Sequence, residues 1–276
     1  MRGRRNRRWI ALALAILGLP AVAVPFWLMI STSLTPQAFT LSYPPRLWPE
    51  SWTLDNYVRA IRLEDFALYF GNSLLVAVAT TVITVLVSAA MAFAFARMRF
   101  RGREVLFYVL LSGMMVPPVM LIIPLFLVAK NLGLLNDYWG LILVYVTMNL
   151  SMQTFLLRGF FEDIPNELED AVLIDGGGRW TIFWRVVLPL SRPGLSVVAI
   201  FTFLYAWDEF PWAHVAMQET SRRTLPVAIA LFQNQHLTQW GMVFAASILA
   251  LIPVVTVFSI FQRQFVEGIS TAGLKG

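Results

Sequence analysis

Four stretches of this chain, Trp9 to Pro45, Phe66 to Ala96, Val105 to Ala129 and Tyr138 to Leu157, contain no Asp, Glu, Lys or Arg. A bilayer crossing takes roughly 20 apolar residues, and a charge at its centre costs about 3 kcal/mol. Uninterrupted runs of this length therefore commit the chain to lipid. A fifth run, Thr224 to Gln262, is uncharged apart from His236, and a shorter one from Pro193 ends at Asp208 and Glu209. We read six helices, at about 9–31, 70–96, 105–129, 139–158, 193–215 and 242–262. Charged residues make up 13% and hydrophobic residues 58% of the chain. Soluble domains carry about a quarter charged residues, so this balance argues against a soluble enzyme, and the wealth of apolar side chains argues against disorder. The expected fold is an all-α membrane protein with short loops and no large extramembrane domain.

Basic residues set the orientation. Arg2, Arg4, Arg5, Arg7 and Arg8, then Arg97, Arg99, Arg101 and Arg103, then Arg158, Arg179, Arg185 and Arg192, and finally Arg263 and Lys275 fall on one side; Arg46, Arg59, Arg62, Lys130, Arg222 and Arg223 fall on the other. A 15 to 6 split places the richer side, with both termini, in the cytoplasm. The apolar run beyond Ala21-Val22-Ala23 is long for a signal peptide, so the first segment reads as an uncleaved span. The expected organisation is a basic N-terminus over 1–8, a six-helix domain over 9–264 and a cytoplasmic tail over 265–276. In a membrane chain the net charge of +5 reports orientation, and no nucleic-acid partner is expected.

With no cysteine and only His214 and His236, thiol chemistry and a histidine-rich metal site are excluded. Ser88, Ala92 and Ala96 recur at four-residue spacing, a stripe suited to close helix packing. Pro117, Pro118 and Pro124 should interrupt the third helix.

The segment between Arg158 and Arg192 carries the most local organisation, and we expect the loop at about 159–192. Pro165 suits a first helical position, Asp163, Glu167 and Glu169 favour the positive end of a helix dipole, and Gly176 to Gly178 terminate the helix. Leu168, Ala171 and Val172 share one face. Trp180 to Leu188 should form a second short helix ending at Pro189.

Glu169-Asp170-Ala171, then Asp175-Gly176, then Val186-Val187-Leu188-Pro189 closely resembles the EAA motif of ABC importer permeases, with Asp170 in place of the second-position alanine and Val186 in place of isoleucine. Leu54-Asp55-Asn56-Tyr57, Asn72-Ser73-Leu74, Ala94-Phe95-Ala96-Arg97, Met115-Val116-Pro117, Ile164-Pro165, Trp207-Asp208-Glu209-Phe210 and Gly273-Leu274-Lys275-Gly276 resemble the carbohydrate-uptake branch, in its maltose-type second permease. The resemblance implies a partnership with a second, different permease, two ATPase subunits and an extracytoplasmic solute-binding protein in a bacterial or archaeal cell membrane. It implies that Glu169, Asp170, Ala171, Asp175, Gly176, Leu188 and Pro189 form the coupling loop seated on the ATPase. It also implies a subunit that is not itself an enzyme and binds no cofactor, with ATP and Mg on the ATPase, and a sugar, oligosaccharide or sugar-phosphate as the small-molecule solute, carried by alternating access.

An ATPase is excluded in this chain because no G-x-x-x-x-G-K-[ST] occurs, the only lysines being Lys130 and Lys275. An intramembrane enzyme lacks paired catalytic groups, a passive channel lacks a filter repeat, and an importer of a non-sugar solute is the nearest alternative. From Pro193 the fifth helix has fifteen charge-free residues before Asp208, about 22 Å of helix, which puts Asp208 and Glu209 near the outer interface. Tyr205, Trp207, Asp208 and Glu209, with Asn149 and Gln153 four apart on the fourth helix, are the candidate solute path; the alternative is that the helix finishes before Pro211 and its acids stand in water. Family members often carry Asn where Asp208 stands.

Overall fold

The structure, a computed structural model, describes residues 2–36, 47–63, 65–231 and 238–273, with side chains over 17–36, 47–62, 65–231 and 238–262. Among the described residues the only regular structure is helical. The helices are α1 (Arg2–Ser33), α2 (Asp55–Leu63), α3 (Phe66–Arg97), α4 (Arg103–Ser112), α5 (Ile122–Asn131), α6 (Tyr138–Glu162), α7 (Asn166–Ile174), α8 (Arg179–Ile182), α9 (Leu188–Leu190), α10 (Arg192–Asp208), α11 (Pro211–Ala216), α12 (Leu225–Leu231) and α13 (Trp240–Gly273). Phe66–Arg97, Tyr138–Glu162 and Trp240–Gln262 are each long and apolar enough to cross a membrane, and two bent pairs bring the number to as many as five. Leu17–Ser33 is a shorter apolar helical stretch.

The third expected span is broken and not merely kinked. Its halves, Arg103–Met115 and Pro118–Asn131, meet at 91°. Val116 precedes Pro117, and Pro117 precedes Pro118, so two consecutive residues are pushed out of the helical region by the following ring. Both are extended, with ψ of 118° and 127°. Pro124 does not interrupt anything: it stands in the first turn of α5, where a missing N–H costs no helical bond.

The fifth expected span also departs from a single helix over 193–215. It ends at Asp208, and α11 begins at Pro211 after the extended Glu209. At its other end Arg179–Leu190 joins Arg192–Asp208 at 77°. Pro189 does not terminate the helix before it, which runs on to Leu190. A π-turn over Phe183–Val187, in which Leu188 N donates to Phe183 O, immediately precedes the proline; such a turn loosens the ladder where the ring would otherwise crowd a carbonyl. Further along, α13 carries helix as far as Gly273 through the expected tail, and Leu274, Lys275 and Gly276 lie outside the described residues.

The chain divides into two compact units, Met1–Ala67 with Ala228–Ile252, and Leu68–Val227 with Pro253–Gly276. In the first, the Asn56 amide donates to Ser33 O and Thr35 O, two carbonyls that the end of α1 leaves without helical partners. Tyr57 OH lies 2.8 Å from Ser33 Oγ, and Gly241 admits Asn56 so closely that a Cβ there would be 2.6 Å from its Nδ2. The Leu54-Asp55-Asn56-Tyr57 motif is thus a cap on α1.

In the second unit the core runs through Ala89, Ala92 and Phe93 of α3, Leu157 and Phe161 of α6, Ile164, Ile182, Phe183, Val187, and Val198 of α10. Ser88 and Ala92 of the small-residue stripe are fully buried, and Thr80 and Thr84 continue the same four-residue row. At the Asn72 end of α3, the Asn72 amide donates to Ser221 O and Arg223 O, Tyr138 OH donates to Asn72 Oδ1, and Ser73 Oγ accepts from Leu225 N. The Asn72-Ser73-Leu74 motif holds the connection between α11 and α12.

Candidate functional site

Helix α7 is built by local chemistry. Ile164 and Asn166 flank an extended Pro165, and Glu167 and Glu169 lie in the first turn, where the helix dipole favours acids. At the other end Gly177 N donates to Val172 O at 2.8 Å and Gly176 N to Leu173 O at 3.1 Å. These two bonds are a Schellman motif, with Asp175 as the C-cap. The two glycines are needed for different reasons. Gly176 has φ +80°, left-handed backbone that a Cβ disfavours. A Cβ on Gly177 would fall 2.5 Å from Val172 Cγ1 and 2.9 Å from Val172 O.

Arg97, the last residue of α3, fixes where this helix lies. Its Nη2 donates to Phe161 O and Ile164 O, and its Nη1 donates to Asn166 Oδ1 at 2.6 Å. Its Nε lies 3.1 Å from Glu169 Oε1, an ion pair whose angle falls outside hydrogen-bond geometry. The two side chains are 7% and 15% exposed. Glu169 therefore faces inward, toward the end of α3. Asp170, Ala171, Asp175 and Gly176 are exposed, as are Leu168, Leu173 and Ile174, the last at 85%. Val172 packs against the core cluster, so the expected face of Leu168, Ala171 and Val172 is split: Val172 turns in while the other two turn out. Leu188 is half-buried and packs on the same cluster; Pro189 is exposed. Trp180 and Trp184 are also exposed beside α7.

The outer candidates do not form one wall. Asn149 and Gln153 of α6 are buried; the Asn149 amide returns to Tyr145 O, and Gln153 Oε1 has no partner among the described residues. Tyr205 meets α6, its ring perpendicular to Tyr145 at 5.9 Å and its hydroxyl 3.1 Å from Met148 Sδ. Trp207, two residues on, points elsewhere: it is buried, edge-on to Phe70 at 5.4 Å and stacked on Phe203 at 5.8 Å. Asp208 is exposed. Glu209 is occupied structurally, since its two oxygens accept from Trp212 N at 2.7 Å and Ala213 N at 3.0 Å, capping α11, and from Tyr145 OH at 2.5 Å. A carboxylate three residues before an α-helical N–H was a readable cap signal, and Pro211 at the first helical position reinforces it.

Residues 85–271 match the family described as the binding-protein-dependent transport system inner membrane component. The chain is 35% identical to the diacetylchitobiose uptake system permease protein NgcG of Streptomyces coelicolor, over 96% of this chain and 89% of that protein. It is 36% identical to the sulfoquinovosyl glycerol transport system permease protein SmoH of Agrobacterium fabrum, over 96% and 93%, and 34% identical to the trehalose/maltose transport system permease protein MalG of Thermococcus litoralis, over the full length of both. Its fold is similar to a chain in the crystal structure of a bacterial ABC transporter involved in import of the acidic polysaccharide alginate, with a TM-score of 0.79 at 23% identity over 96% of this chain and 98% of that one.

Proposed function

The chain belongs to the binding-protein-dependent transport system inner membrane component family and is a non-catalytic permease subunit of an ABC importer that works with a solute-binding protein; from that premise we propose that its solute is a carbohydrate. The observation that carries the proposal is its identity of 34–36% over nearly the whole chain to three permeases named for diacetylchitobiose, sulfoquinovosyl glycerol and trehalose/maltose.

In this reading the chain crosses the cell membrane of a bacterium or archaeon six times with both termini inside. The 15 to 6 distribution of basic residues supports the orientation, and the bent pair Arg103–Asn131 and the helix Arg192–Asp208, which is bent against Arg179–Leu190, are the candidates for the third and fifth crossings. A second, different permease completes the path, and two ATPase subunits bind ATP and Mg. Helix α7 is the coupling helix: the exposed side chains of Asp170, Leu173, Ile174 and Trp180 offer a docking face, while Glu169, Asp175, Gly176, Leu188 and Pro189 shape and seat it. Nucleotide binding then biases two discrete permease states, and the solute is released inward by alternating access.

Asp208, exposed, while Glu209 caps α11, is the acidic candidate for the solute path, with Tyr205 and Trp207 on the same helix α10 and Asn149 and Gln153 on α6. Carboxylates and amides accept and donate hydrogen bonds to hydroxyls, the chemistry a polyol requires. The assembled importer, reconstituted in vesicles, should take up a sugar in an ATP-dependent manner. Uptake that runs without ATP would overturn the importer reading, and ATP-dependent uptake restricted to a non-carbohydrate solute would overturn the sugar. Comparing Asp208→Asn with Asp208→Leu tests the path: Asn should retain uptake and Leu lose it, and equal uptake would remove Asp208 from the path.

A further inference from the structure

The three side-chain nitrogens of Arg97 and its backbone carbonyl all face the segment that runs from the end of α6 to the start of α8. One side-chain nitrogen takes the carbonyls of Phe161 and Ile164, where α6 ends; a second takes the side chain of Asn166, the first residue of α7; the third sits against Glu169, one turn further on. Its backbone carbonyl accepts from Arg179 Nη1 at 3.4 Å, where α8 begins. Thus the same residue touches the entry to α7, its first turn and the exit from the loop. Beneath it, Ile164, Ile182, Phe183 and Val187 belong to the same apolar cluster as Ala92 and Phe93 of α3 and Leu157 and Phe161 of α6, and the Phe93 and Phe183 rings meet at a tilt of 54° with centroids 5.1 Å apart.

We propose that Arg97 is a positioning residue that makes α7 move as one body with the Arg97 end of α3 and the Phe161 end of α6. The functional meaning of the claim rests on α7 being the coupling helix; the mechanical claim does not. A guanidinium suits the task because it is a rigid planar fork whose donors can serve several acceptors at fixed angles, whereas a lysine ammonium is a point charge on a flexible stem. The carbonyls it binds lie at the C-terminal end of α6, where the helix dipole favours a cation, and that of Phe161 also accepts from Ile164 N at 3.2 Å. With these contacts in place, a displacement of α7 carries α3 and α6 along. Without them, the link from α6 to α7 runs through the short turn around Asp163–Pro165 and apolar packing, and a push would dissipate in the turn.

The chain has no cysteine, so paired spin labels can be placed at will. One label at Ile174 on α7 and one at Met152 on α6 report the coupling; labels at Leu86 on α3 and Met152 report the bundle alone, and all three positions are exposed. In the full-length protein the Ile174–Met152 distance should be narrowly distributed, and Arg97→Gln should raise the displaced population about tenfold, the size expected for losing charge-assisted hydrogen bonds. Arg97→Lys should fall between the two, and the Leu86–Met152 distance should not change. An unchanged Ile174–Met152 distribution in Arg97→Gln would overturn the proposal. So would equal broadening of both pairs, which would make Arg97 a general support of the bundle. In the assembled importer Arg97→Gln should keep hydrolysing ATP while uptake per ATP falls. A broadened Ile174–Met152 distribution with uptake per ATP unchanged from wild type would instead leave the mechanical claim standing and count against the coupling role of α7.

Discussion

Tyr145 OH donates to Glu209 Oε2 at 2.5 Å, and the carboxylate that receives it also caps the first turn of α11. A residue of α6 therefore shares a hydrogen-bond centre with the break between α10 and α11. Replacing Glu209 with Ala should cost about 1–2 kcal/mol, the worth of a lost helix cap. Glu209→Gln, which keeps one acceptor oxygen, should cost less, and Tyr145→Phe should cost about 1 kcal/mol. Thermal unfolding of the purified protein measures all three. Uptake lost in Glu209→Gln at unchanged stability would return Glu209 to the solute path.

The two glycines that end α7 should respond differently from the third. Gly176→Ala forces a Cβ into left-handed backbone and should cost about 1 kcal/mol, and Gly177→Ala should be worse because Val172 O is part of the obstruction and cannot rotate away. Gly178→Ala meets open space and should behave as wild type. Co-purification of the ATPase with each variant, at matched membrane levels, gives the ranking; equal retention across all three would mean that the turn does not shape the docking face.

Reversing Glu169 puts two cations about 3 Å apart in a site that is largely closed to water. Glu169→Lys should loosen α7 and lower uptake strongly, while Glu169→Gln, uncharged but of the same shape, should lower it mildly. If Gln proves as damaging as Lys, the charge itself is needed and the repulsion argument fails.

Asn72 supplies two donors and one acceptor to the connection between α11 and α12 and to Tyr138. Asn72→Ala leaves the Ser221 and Arg223 carbonyls without these bonds, a loss of about 1–3 kcal/mol of local stability. Amide exchange over residues 218–225 should accelerate by one to two orders of magnitude, roughly the Boltzmann factor of that loss. Exchange at the wild-type rate would show that Ser73, together with Asn136 Oδ1, which accepts from Gln218 N and Glu219 N, suffices to hold the segment.

A topology assay completes the set. Ile174 is the most exposed apolar residue of α7 and Gln218 is exposed in the connection between α11 and α12. Cysteines introduced at these positions should be labelled from opposite sides by an impermeant reagent; labelling of both from one side would refute the six-span orientation.

Much of the helical content was legible because it is a local matter. Charge-free runs marked Phe66–Arg97 and Tyr138–Glu162 within a few residues of their ends, and Gly176 to Gly178 marked where α7 stops, since lipid solvation and left-handed backbone depend on nearby residues alone. Pro117 and Pro118 announced a disturbance in the third span, but their spacing does not specify a 91° bend. Nor does the sequence name Tyr145 as the further donor to Glu209, the cap of the helix that Pro211 opens.

Arg97 and Glu169 are 72 positions apart, Tyr145 and Glu209 are 64 apart, and Asn72 and Arg223 are 151 apart. In each pair the sequence supplies a charge or an amide and leaves its partner unnamed. By itself the sequence determined which segments are long and apolar enough to leave water and where the α7 helix ends, and it placed the start of α7 within one residue, Pro165 standing just outside the helix. Only the packing of α3, α6, α10 and the loop between α6 and α10 decided that Glu169 turns inward while Ile174 turns outward, and that Trp207 and Tyr205 part company. The physical reason is that transfer to lipid and backbone conformation are set residue by residue, whereas a side chain's hydrogen-bond partner is chosen by whichever acceptor the folded chain brings within 3 Å.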